Sequence, residues 1–358
     1  MKNQPMKILV TGGGTGGHVF PLMSVVSELK KQKTKIIYVG SGNLLERVQA
    51  RKYNISYKKI FSGKWRRYFD LNNFIDIFKI IIGFLQSILI ILFFWPDAIF
   101  SKGGYVGLPI VYAAWILRRP IFIHESDSVL GLANKLSIKK CKKIFVGFPA
   151  KYHHNLPIDK VVYTGNPMSE NYNNLRIKKY FKNNKPTIFV TGGSQGARFI
   201  NQTIAKVLPV LTKKYNIIHL AGNLDYEWLK KNSWKDYLLY SFTDDFASML
   251  YNSDLIISRS GSTIFEIAYC AKPSILIPLP SSANNHQEVN ARILEQENAA
   301  IVLREKNLTS ESLLEIIERI MEDKNLREEL AGKINQFFQK DASRIIAEEI
   351  IKEINNKK

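Results

Sequence analysis

Short apolar runs alternate with longer stretches of helical periodicity along the whole chain. The runs are rich in β-branched and aromatic residues and are too short for typical helices, so we interpret them as buried strands of parallel sheets. Regular alternation of strands and helices predicts an α/β protein with helices on both faces of its sheets. The predicted strands are residues 8–10, 35–39, 98–101, 121–124, 144–146, 187–191, 217–221, 255–258 and 274–277.

One strand-and-turn pattern occurs twice in the chain. Ile-Leu-Val-Thr-Gly-Gly at 8–13 recurs as Ile-Phe-Val-Thr-Gly-Gly at 188–193. Each copy is a strand, a glycine-rich turn and a helix start, which is how a Rossmann-like domain begins. We therefore predict two such domains, residues 1–165 and 187–340, joined by the polar segment 166–186 as a linker.

Two helices are expected near the C-terminus. Thr309 is a favourable N-cap residue, and apolar residues at helical spacing follow it. A last helix, at residues 342–354, is predicted within the final segment 341–358. This helix can pack on either domain, including back on the first.

The chain is basic, and its charge is unevenly distributed. It has 51 Lys and Arg against 31 Asp and Glu, a net charge of +20. Residues 1–165 carry 25 of the basic and 8 of the acidic residues, so the second half is nearly neutral. This excess predicts that the first domain faces something anionic, such as nucleic acid, a phosphorylated substrate or an acidic membrane surface.

The composition excludes several classes of protein. With 46% hydrophobic residues, the chain can bury a core and is not intrinsically disordered. Cys141 and Cys270 lie far apart and outside any Cys/His cluster, which excludes a disulfide framework and a structural zinc site as organising features. No apolar stretch of signal-peptide length precedes the first strand, so we expect the protein to stay in the cytoplasm.

The first glycine-rich turn, residues 12–18, contains a GxGxxG pattern at Gly12, Gly14 and Gly17. Such glycines allow a tight turn that brings backbone N–H groups at a helix N-terminus against an anion. A nicotinamide-dependent dehydrogenase would place an acidic residue at the tip of the second strand, where this chain has Tyr-Val-Gly-Ser-Gly at 38–42. The turn therefore favours an anion or a sugar phosphate over a dinucleotide.

His18 follows these glycines and is the first candidate for a general base. A neutral histidine in reach of a hydroxyl contributes roughly 10²–10⁴-fold in rate. The simpler interpretation is that His18 only hydrogen-bonds the turn. His124 and Glu125 follow another predicted strand and can line the same region, which makes Glu125 the alternative base.

The second glycine-rich turn, residues 192–198, could hold a diphosphate through its N–H groups and the Ser194 hydroxyl. No Asp-x-Asp sequence occurs in the chain, so a metal ion is not required, and a helix dipole could offset charge on a leaving group. In the 259–266 loop, Glu266 can accept two hydrogen bonds from a ribose diol. Polar side chains suited to a sugar follow at His286, Gln287 and Asn290.

An uncharged stretch of 16 residues, 80–95, is shorter than the roughly 20 residues that cross a bilayer. A fully buried helix would explain it as well. The basic and aromatic segment before it could attach reversibly to an anionic membrane surface, where each basic residue contributes roughly 1 kcal/mol. Nucleic acid would accept the same patch, but no nucleic-acid-binding motif accompanies it. The candidate membrane contacts are Lys64, Trp65, Arg66, Arg67 and Phe69.

Several motifs follow one another in a fixed order, at residues 11–21, 101–105, 124–126, 131–134, 165–167 and 192–198, and at His286, Gln287 and Asn290. Together they resemble the MurG family of glycosyltransferases along nearly the whole chain. The resemblance implies a GT-B architecture, in which two Rossmann-like domains face each other across a cleft. It also implies an inverting transfer of N-acetylglucosamine from UDP-N-acetylglucosamine to the C4 hydroxyl of the muramoyl sugar of lipid I, which gives lipid II.

The same resemblance implies where each substrate binds. The donor residues would be Thr15, Gly16, Gly17, Asn134, Ser194, Thr243, Glu266 and Gln287. The acceptor diphosphate and the reacting hydroxyl would meet Gly13, Gly14 and His18. No cofactor is implied. The expected partners are the two substrates and the anionic surface of the cytoplasmic membrane, with other cell-wall synthesis proteins in addition and no nucleic acid.

The chain departs from the family pattern at two places. Gly-Asn-Pro at 165–167 is followed by Met168 and Ser169, where the family usually has an arginine after one apolar residue. The loop 259–266 is one residue shorter than usual. Three alternatives stay open: a UDP-N-acetylglucosamine 2-epimerase of the same architecture, a nucleotide-sugar-binding membrane protein without catalysis, and a dehydrogenase.

Overall fold

The structure is a computed structural model and describes residues 5–63, 72–169, 172, 175–193, 196–231 and 234–356. Contacts within the chain divide it into two compact units. The first unit is Met1–Ser169 with Gln339–Lys358, and the second is Glu170–Phe338.

The first unit is built on one parallel sheet. Its strands are β1 (Lys7–Thr11), β2 (Lys35–Gly40), β3 (Ser56–Lys59), β4 (Ala98–Ser101), β5 (Ile121–Glu125), β6 (Lys143–Val146) and β7 (Val161–Tyr163). The helices are α1 (Gly16–Lys31), α2 (Leu44–Lys52), α3 (Asn72–Phe94), α4 (Gly107–Ile116) and α5 (Leu132–Ser137). The strand order is β3-β2-β1-β4-β5-β6-β7, so the chain reverses direction across the sheet at β1 and β4. Ligands of doubly wound sheets bind outside the carboxyl ends of the strands at such a reversal.

The second unit repeats this design. Its strands are β8 (Thr187–Thr191), β9 (Asn216–Leu220), β10 (Tyr237–Tyr240), β11 (Leu255–Ser258), β12 (Ser274–Leu276) and β13 (Ile301–Val302). Its helices are α6 (Arg198–Lys214), α7 (Asn223–Leu229), α8 (Phe246–Tyr251), α9 (Thr263–Tyr269), α10 (His286–Gln296), α11 (Ser310–Glu322) and α12 (Lys324–Asn335). The order β10-β9-β8-β11-β12-β13 places the reversal at β8 and β11.

Both sheets are buried on both faces, as the continuous apolar runs predict. In the first unit, Val10 packs with Leu22 of α1, whereas Leu9 packs on the other face with Ile110 of α4. These side chains are at most 1% exposed. Each buried side chain of this size contributes about 1.5–3 kcal/mol relative to its exposed state. The prediction of an α/β fold with two parallel-sheet, Rossmann-like domains is confirmed.

The last helix, α13 (Ala342–Asn355), packs against α1 in the first unit. Its apolar face contributes Ile346 and Ile350, both fully buried, to the core of that unit. On its polar side, Glu349 pairs with Lys143 of β6 at 2.5 Å. The predicted N-cap of α11 is confirmed, because the Thr309 side chain accepts from the backbone N–H of Ser312 at 3.1 Å.

The apolar helix α3 corrects two expectations from the sequence. It has 23 residues, so it is longer than the uncharged stretch, and Asp76–Phe94 is long and apolar enough to cross a membrane by length and composition alone. It is also not a fully buried helix, because only 17% of that apolar window is buried. One face packs with α4. The other face is exposed and carries Ile77, Phe78, Ile81, Ile82, Leu85, Leu89, Leu92 and Phe93.

Candidate active site

The first glycine turn joins β1 to α1 at the carboxyl edge of the first sheet. Thr15 is the N-cap residue, but its side chain makes no capping bond to the helix, and the first turn contains no acidic residue. The helix N-terminus therefore presents the amides of Gly16 and Gly17 with a partial positive charge. This arrangement suits an anion, and an anion site here stays a prediction.

A second glycine pair supports this turn from β4. Gly104 has φ 82°, and a Cβ there would lie 2.7 Å from the carbonyl oxygen of Gly13. Gly103 has φ 87°, and its Cβ would lie 3.1 Å from the Asn134 side-chain nitrogen. Only glycine allows both the left-handed backbone and this approach. The two turns therefore bring Gly13 and Asn134 close together from distant parts of the sequence.

Sequence reasoning missed Glu46, whose side chain is hydrogen-bonded to the backbone of the first glycine turn. Its side chain is fully buried and accepts from the backbone N–H groups of Gly14 (3.3 Å), Ser41 (2.7 Å) and Gly42 (3.2 Å). The Tyr57 hydroxyl also donates to it, at 2.7 Å. No carboxylate stands at the tip of β2, but this one reaches the same place from α2. Because its oxygens are used by the protein, Glu46 is not available to hold a ribose, which argues against a dehydrogenase.

His18 lies in the first turn of α1 and is half-buried. Its Nδ1 is 3.2 Å from the Thr15 hydroxyl. This contact connects the ring with the glycine turn and allows either of the two roles foreseen for His18.

Glu125 ends β5, and its side chain is held in place by its own loop. Its carboxylate accepts from the N–H of Gly131 (2.8 Å), from the Asn134 amide (3.0 Å) and from the N–H of Asp127 (3.2 Å). Burial raises the pKa of Glu125, and the nearby Asp127 charge raises it further. A carboxylate with a raised pKa and a fixed orientation has the properties of a general base.

The residues around Glu125 tie two of the sequence motifs together. Burial keeps the pKa of His124 well below its usual value, so the ring is neutral and its Nε2–H donates to the carbonyl of Gly165 at 3.0 Å. The Ser126 hydroxyl donates to Asn166 Oδ1, also at 3.0 Å. The Gly-Asn-Pro motif is thus hydrogen-bonded to the end of β5.

Lys102, directly after β4, is a second residue that sequence reasoning missed. It is 1% exposed, and its Nζ donates to the Ser126 hydroxyl at 2.5 Å. Burial lowers the pKa of Lys102 to about 8, although the charges of Glu125 and Asp127 act in the opposite direction. In turn, the lysine charge lowers the pKa of Glu125. The first unit therefore holds a buried cation beside a candidate base.

The second glycine turn has one open position, Gly193, beside a crowded one, Gly196, where a Cβ would lie 2.2 Å from the carbonyl oxygen of Ala221. Gly193 has φ 82°, and a Cβ there would meet nothing within 4 Å. The helix α6 that follows has no side-chain cap and no acidic residue in its first turn, so its N-terminus suits an anion. Ser194, the hydroxyl expected to contact the diphosphate, lies outside the described residues, as do Lys64, Trp65, Arg66, Arg67 and Phe69.

A buried polar network holds α6 against the neighbouring strand. His219 of β9 donates through Nε2 to Asn201 Oδ1 at 2.9 Å, and the Asn201 amide donates to Asp225 at 2.8 Å. Arg198 and Trp228 donate to the other oxygen of Asp225, each at 3.0 Å. Burial lowers the pKa of His219 to about 3, so this ring is neutral as well.

Glu266 lies in the first turn of α9, at the carboxyl edge of the second sheet. The Tyr172 hydroxyl donates to its Oε1 at 2.8 Å. Burial raises the pKa of Glu266 to about 7, although the hydrogen bond from Tyr172 acts to lower it. The carboxylate keeps acceptor capacity for a diol beyond the bond from Tyr172.

Gln287 is placed beside the loop that precedes α9. The Ser260 hydroxyl donates to the Gln287 carbonyl at 2.8 Å, and the Asn290 amide donates to the Ser260 carbonyl at 3.0 Å. Gln287 Oε1 accepts from the N–H of Leu279 at 3.0 Å, which turns its amide nitrogen towards Gly261. The 259–266 loop and the polar residues 287–290 are therefore hydrogen-bonded to each other.

Thr243 lies between β10 and α8, also at the carboxyl edge of the second sheet. Its hydroxyl accepts from the N–H of Asp245 at 2.9 Å and shapes the loop.

Arg259, in the loop that precedes α9, is bonded to other parts of the second unit. It is 8% exposed, donates to the carbonyl of Ile277 at 3.0 Å and pairs with Glu305 at 2.6 Å.

Comparison with known protein families shows which family the chain belongs to. Residues 8–146 match the glycosyltransferase family 28 N-terminal domain, and residues 187–346 match its C-terminal domain. A protein of Bacillus cereus (strain ATCC 10987 / NRS 248) is 38% identical over 338 residues, which are 92% of this chain and 95% of that protein. It is named UDP-N-acetylglucosamine–N-acetylmuramyl-(pentapeptide) pyrophosphoryl-undecaprenol N-acetylglucosamine transferase 2. This chain belongs to the MurG family.

Other members and structures agree with that assignment. A Clostridium botulinum (strain Langeland / NCTC 10281 / Type F) transferase of the same name, without the number, is 40% identical over 89% of this chain and 92% of its own. The crystal structure of Acinetobacter baumannii MurG superposes with a TM-score of 0.77 at 26% identity, over 97% of this chain and 100% of that one. The resemblance inferred from the motifs is confirmed, and the protein is a hexosyltransferase of this family.

The epimerase alternative shares only the fold. UDP-GlcNAc 2-epimerase from Neisseria meningitidis, bound to UDP-GlcNAc, superposes with a TM-score of 0.71 but is 16% identical, over 97% of this chain and 100% of that one. The similarity at 37–40% identity is to transferases.

Within the described residues, no group of three or more His, Cys, Asp or Glu side chains could hold a metal ion.

Proposed function

We propose that this protein transfers N-acetylglucosamine from UDP-N-acetylglucosamine to the C4 hydroxyl of the muramoyl sugar of lipid I, which produces lipid II for peptidoglycan synthesis. The observation that carries the proposal is the 38% identity to a transferase of that name over 92% of the chain. Both family 28 domains are matched, and the polar groups of each unit lie at the carboxyl edge of its sheet.

The second unit offers the groups for the nucleotide. The Gly193 turn and the α6 N-terminus suit the diphosphate, and Glu266 suits the ribose diol. Thr243 and Gln287 occupy loops at the same sheet edge. As the C1–O bond to UDP breaks, negative charge develops on the leaving diphosphate, and a helix N-terminus stabilises that charge without a metal ion.

The first unit offers the groups for the acceptor. We propose that Gly13 and Gly14 meet its diphosphate and that His18 takes the proton from the C4 hydroxyl as that oxygen bonds to C1 on the face opposite UDP. His18 is half-buried beside the turn, whereas Glu125, the alternative base, is only 7% exposed. Thr15, Gly16, Gly17 and Asn134 stay predicted donor contacts.

We also propose that the first unit docks on the anionic cytoplasmic surface of the membrane through the exposed face of α3. The opposite face of α3 packs into the protein, where Ser87 is 1% exposed and Ile91 is fully buried. A helix packed in this way lies on a membrane and does not cross it. Basic side chains lie close to exposed tryptophans of this unit. Arg119 stacks at 4.2 Å on Trp95, which directly follows α3, and Lys140 lies 5.2 Å from the ring of Trp115 in α4, the helix that packs on α3.

The deciding experiment measures sugar transfer by the full-length protein from radiolabelled UDP-N-acetylglucosamine to lipid I, with EDTA present. We expect labelled lipid II with a β linkage, and a large loss of kcat in either His18→Ala or Glu125→Ala, which identifies the base. Formation of UDP-N-acetylmannosamine without an acceptor would favour the epimerase instead. Donor binding with neither transfer nor epimerisation would favour a non-catalytic binding protein.

A further inference from the structure

The segment after Gly165-Asn166-Pro167 delivers one aromatic side chain to the carboxylate of Glu266. Tyr172 is only 4% exposed, and its hydroxyl donates to Glu266 Oε1 at 2.8 Å. The two residues are 94 positions apart, so the contact is formed by the fold of the second unit and not by local sequence.

Tyr172 is held rigidly in this position. The Tyr269 hydroxyl donates to the Tyr172 backbone carbonyl at 2.6 Å, and the two rings meet edge to face with their centroids 5.2 Å apart. Tyr269 in turn packs edge to face on Phe338 at 4.9 Å. Since both the backbone and the ring of Tyr172 are fixed, the position of its hydroxyl oxygen is fixed as well, and the O–H points to its acceptor on Glu266.

This contact favours one protonation state of Glu266. Burial raises the pKa of the carboxyl to about 7, and the hydrogen bonds from Tyr172 and Thr263 act to lower it. The pKa of Tyr172 lies well above its usual value because of burial and the Glu266 charge, so the phenol stays protonated and remains a donor. Without the phenol, a larger fraction of Glu266 would be a neutral acid near pH 7.

A ribose diol donates two O–H groups, and only an ionised carboxylate accepts both without competing as a donor. We propose that Tyr172 is a positioning residue for ribose recognition, which keeps Glu266 ionised and oriented so that the carboxylate reads the diol of the donor nucleotide. This inference rests on the proposed function, in which Glu266 binds the ribose of UDP-N-acetylglucosamine.

The test compares Tyr172→Phe with the parent protein in steady-state transfer assays. The ring and its packing remain, so only the hydroxyl is lost. We expect the KM for UDP-N-acetylglucosamine at pH 7 to rise about tenfold, as for loss of one hydrogen bond to a charged group, with kcat at saturating donor unchanged within about twofold. Because the hydrogen bond lowers the pKa of Glu266, its loss moves the acidic limb of kcat/KM to higher pH.

A donor analogue provides a readout that a merely structural role would not change. The parent should prefer UDP-N-acetylglucosamine over its 2′-deoxyribose analogue, and Tyr172→Phe should lose most of this preference. Tyr237→Phe is the matched control, because the hydroxyl of this half-buried tyrosine bonds His219 at 2.9 Å and not a carboxylate. It should keep the parental pH profile and preference.

The outcomes separate the two proposals. If Glu266→Ala raises the donor KM while Tyr172→Phe keeps the parental profile and ribose preference, the role of Tyr172 is wrong and the proposed function stands. If Glu266→Ala leaves the donor KM unchanged while transfer continues, Glu266 does not read the ribose and the role of Tyr172 is also wrong. Absence of transfer in the parent protein would overturn the proposed function itself.

Discussion

The two units open with the same strand, glycine turn and helix, yet the surroundings of the two turns differ. The first turn is packed tightly: Glu46 holds it from below, and Gly104 approaches its backbone so closely that a Cβ would lie 2.7 Å from Gly13. The second turn is crowded at Gly196, where a Cβ would lie 2.2 Å from the carbonyl oxygen of Ala221, but it has open space at Gly193. A glycine pattern thus specifies a turn with anion-binding potential, while the residues packed around each glycine decide whether that position supports the protein or stays open to a ligand.

The carboxylates of the two units show the same contrast. Glu46 is fully buried and uses its oxygens to hold the protein backbone. Glu266 is partly exposed and keeps acceptor capacity beside the bond from Tyr172. A carboxylate near a glycine turn therefore indicates a ligand site only if the protein has not already used its oxygens.

The largest expected effect is on the free energy of unfolding, in a comparison of Glu46→Ala with Asp225→Ala. Asp225 is the buried carboxylate that bonds Arg198 and Asn201 of α6, the helix after the second turn. Glu46→Ala should lower the free energy of unfolding by about 4 kcal/mol and abolish transfer, because three backbone N–H groups lose their acceptor. Asp225→Ala should cost about half as much, since its partner Arg198 is largely exposed and can turn to water. Urea unfolding of both variants measures this difference, and equal losses would contradict it.

Lys102 in the first unit is expected to make the stability of the protein depend on pH. The folded protein lowers the pKa of Lys102 from 10.5 to about 8, so the unfolded state binds more protons between these values. Stability therefore rises with pH across this window, by up to about 3 kcal/mol from this one group. Lys102→Met should be the more stable protein at pH 7, and its advantage should shrink as the pH rises from 8 to 10. Parallel unfolding curves for the two proteins against pH would show that the lysine does not titrate in this way.

Gly104→Ala and Gly193→Ala form a matched pair, because both glycines have φ 82° but only Gly104 is crowded. Gly193→Ala should cost about 1 kcal/mol, the strain of the left-handed backbone. Gly104→Ala should cost about 2 kcal/mol more, since its Cβ meets the Gly13 carbonyl. Thermal unfolding of both variants measures the difference. If the costs were equal, the tight packing of the first turn would not matter for stability.

The smallest effect concerns the outer surfaces of the two units. Leu85→Glu on the exposed face of α3 should weaken binding to phosphatidylglycerol-containing vesicles about tenfold, because it removes apolar area and adds a repelled charge. Val210→Glu, at a residue 42% exposed in the second unit, is the control and should bind as the parent does. Sedimentation with vesicles measures both. An equal loss in the two variants would indicate only nonspecific charge repulsion.

The sequence predicts the centre of each sheet better than its edges. All nine predicted strands are present, because central parallel strands are continuous apolar runs. Among the described residues, the four strands that were missed are β3, β7, β10 and β13, which are the two edges of each sheet. They are short and only partly buried, so their sequences lack the apolar run by which a strand is recognised.

The candidate site divides in a similar way. Glycine turns and helix starts are local patterns and were found. Glu46, Lys102 and Tyr172 were missed, since each forms a hydrogen bond with a residue at least 24 positions away, and no local pattern shows such a contact. The exposed face of α3 was missed for another reason, because an apolar helix has the same composition whether protein or membrane covers it.

The helix α13 has a consequence for how the protein is made. A ribosome delivers the chain from the N-terminus, so all strands of the first unit emerge long before Ile346 and Ile350, which complete its core. The second unit, Glu170–Phe338, is synthesised in full before those residues appear. During translation, the first unit therefore emerges first but is the last to finish folding. Until α13 is synthesised, the apolar surface that this helix covers stays exposed.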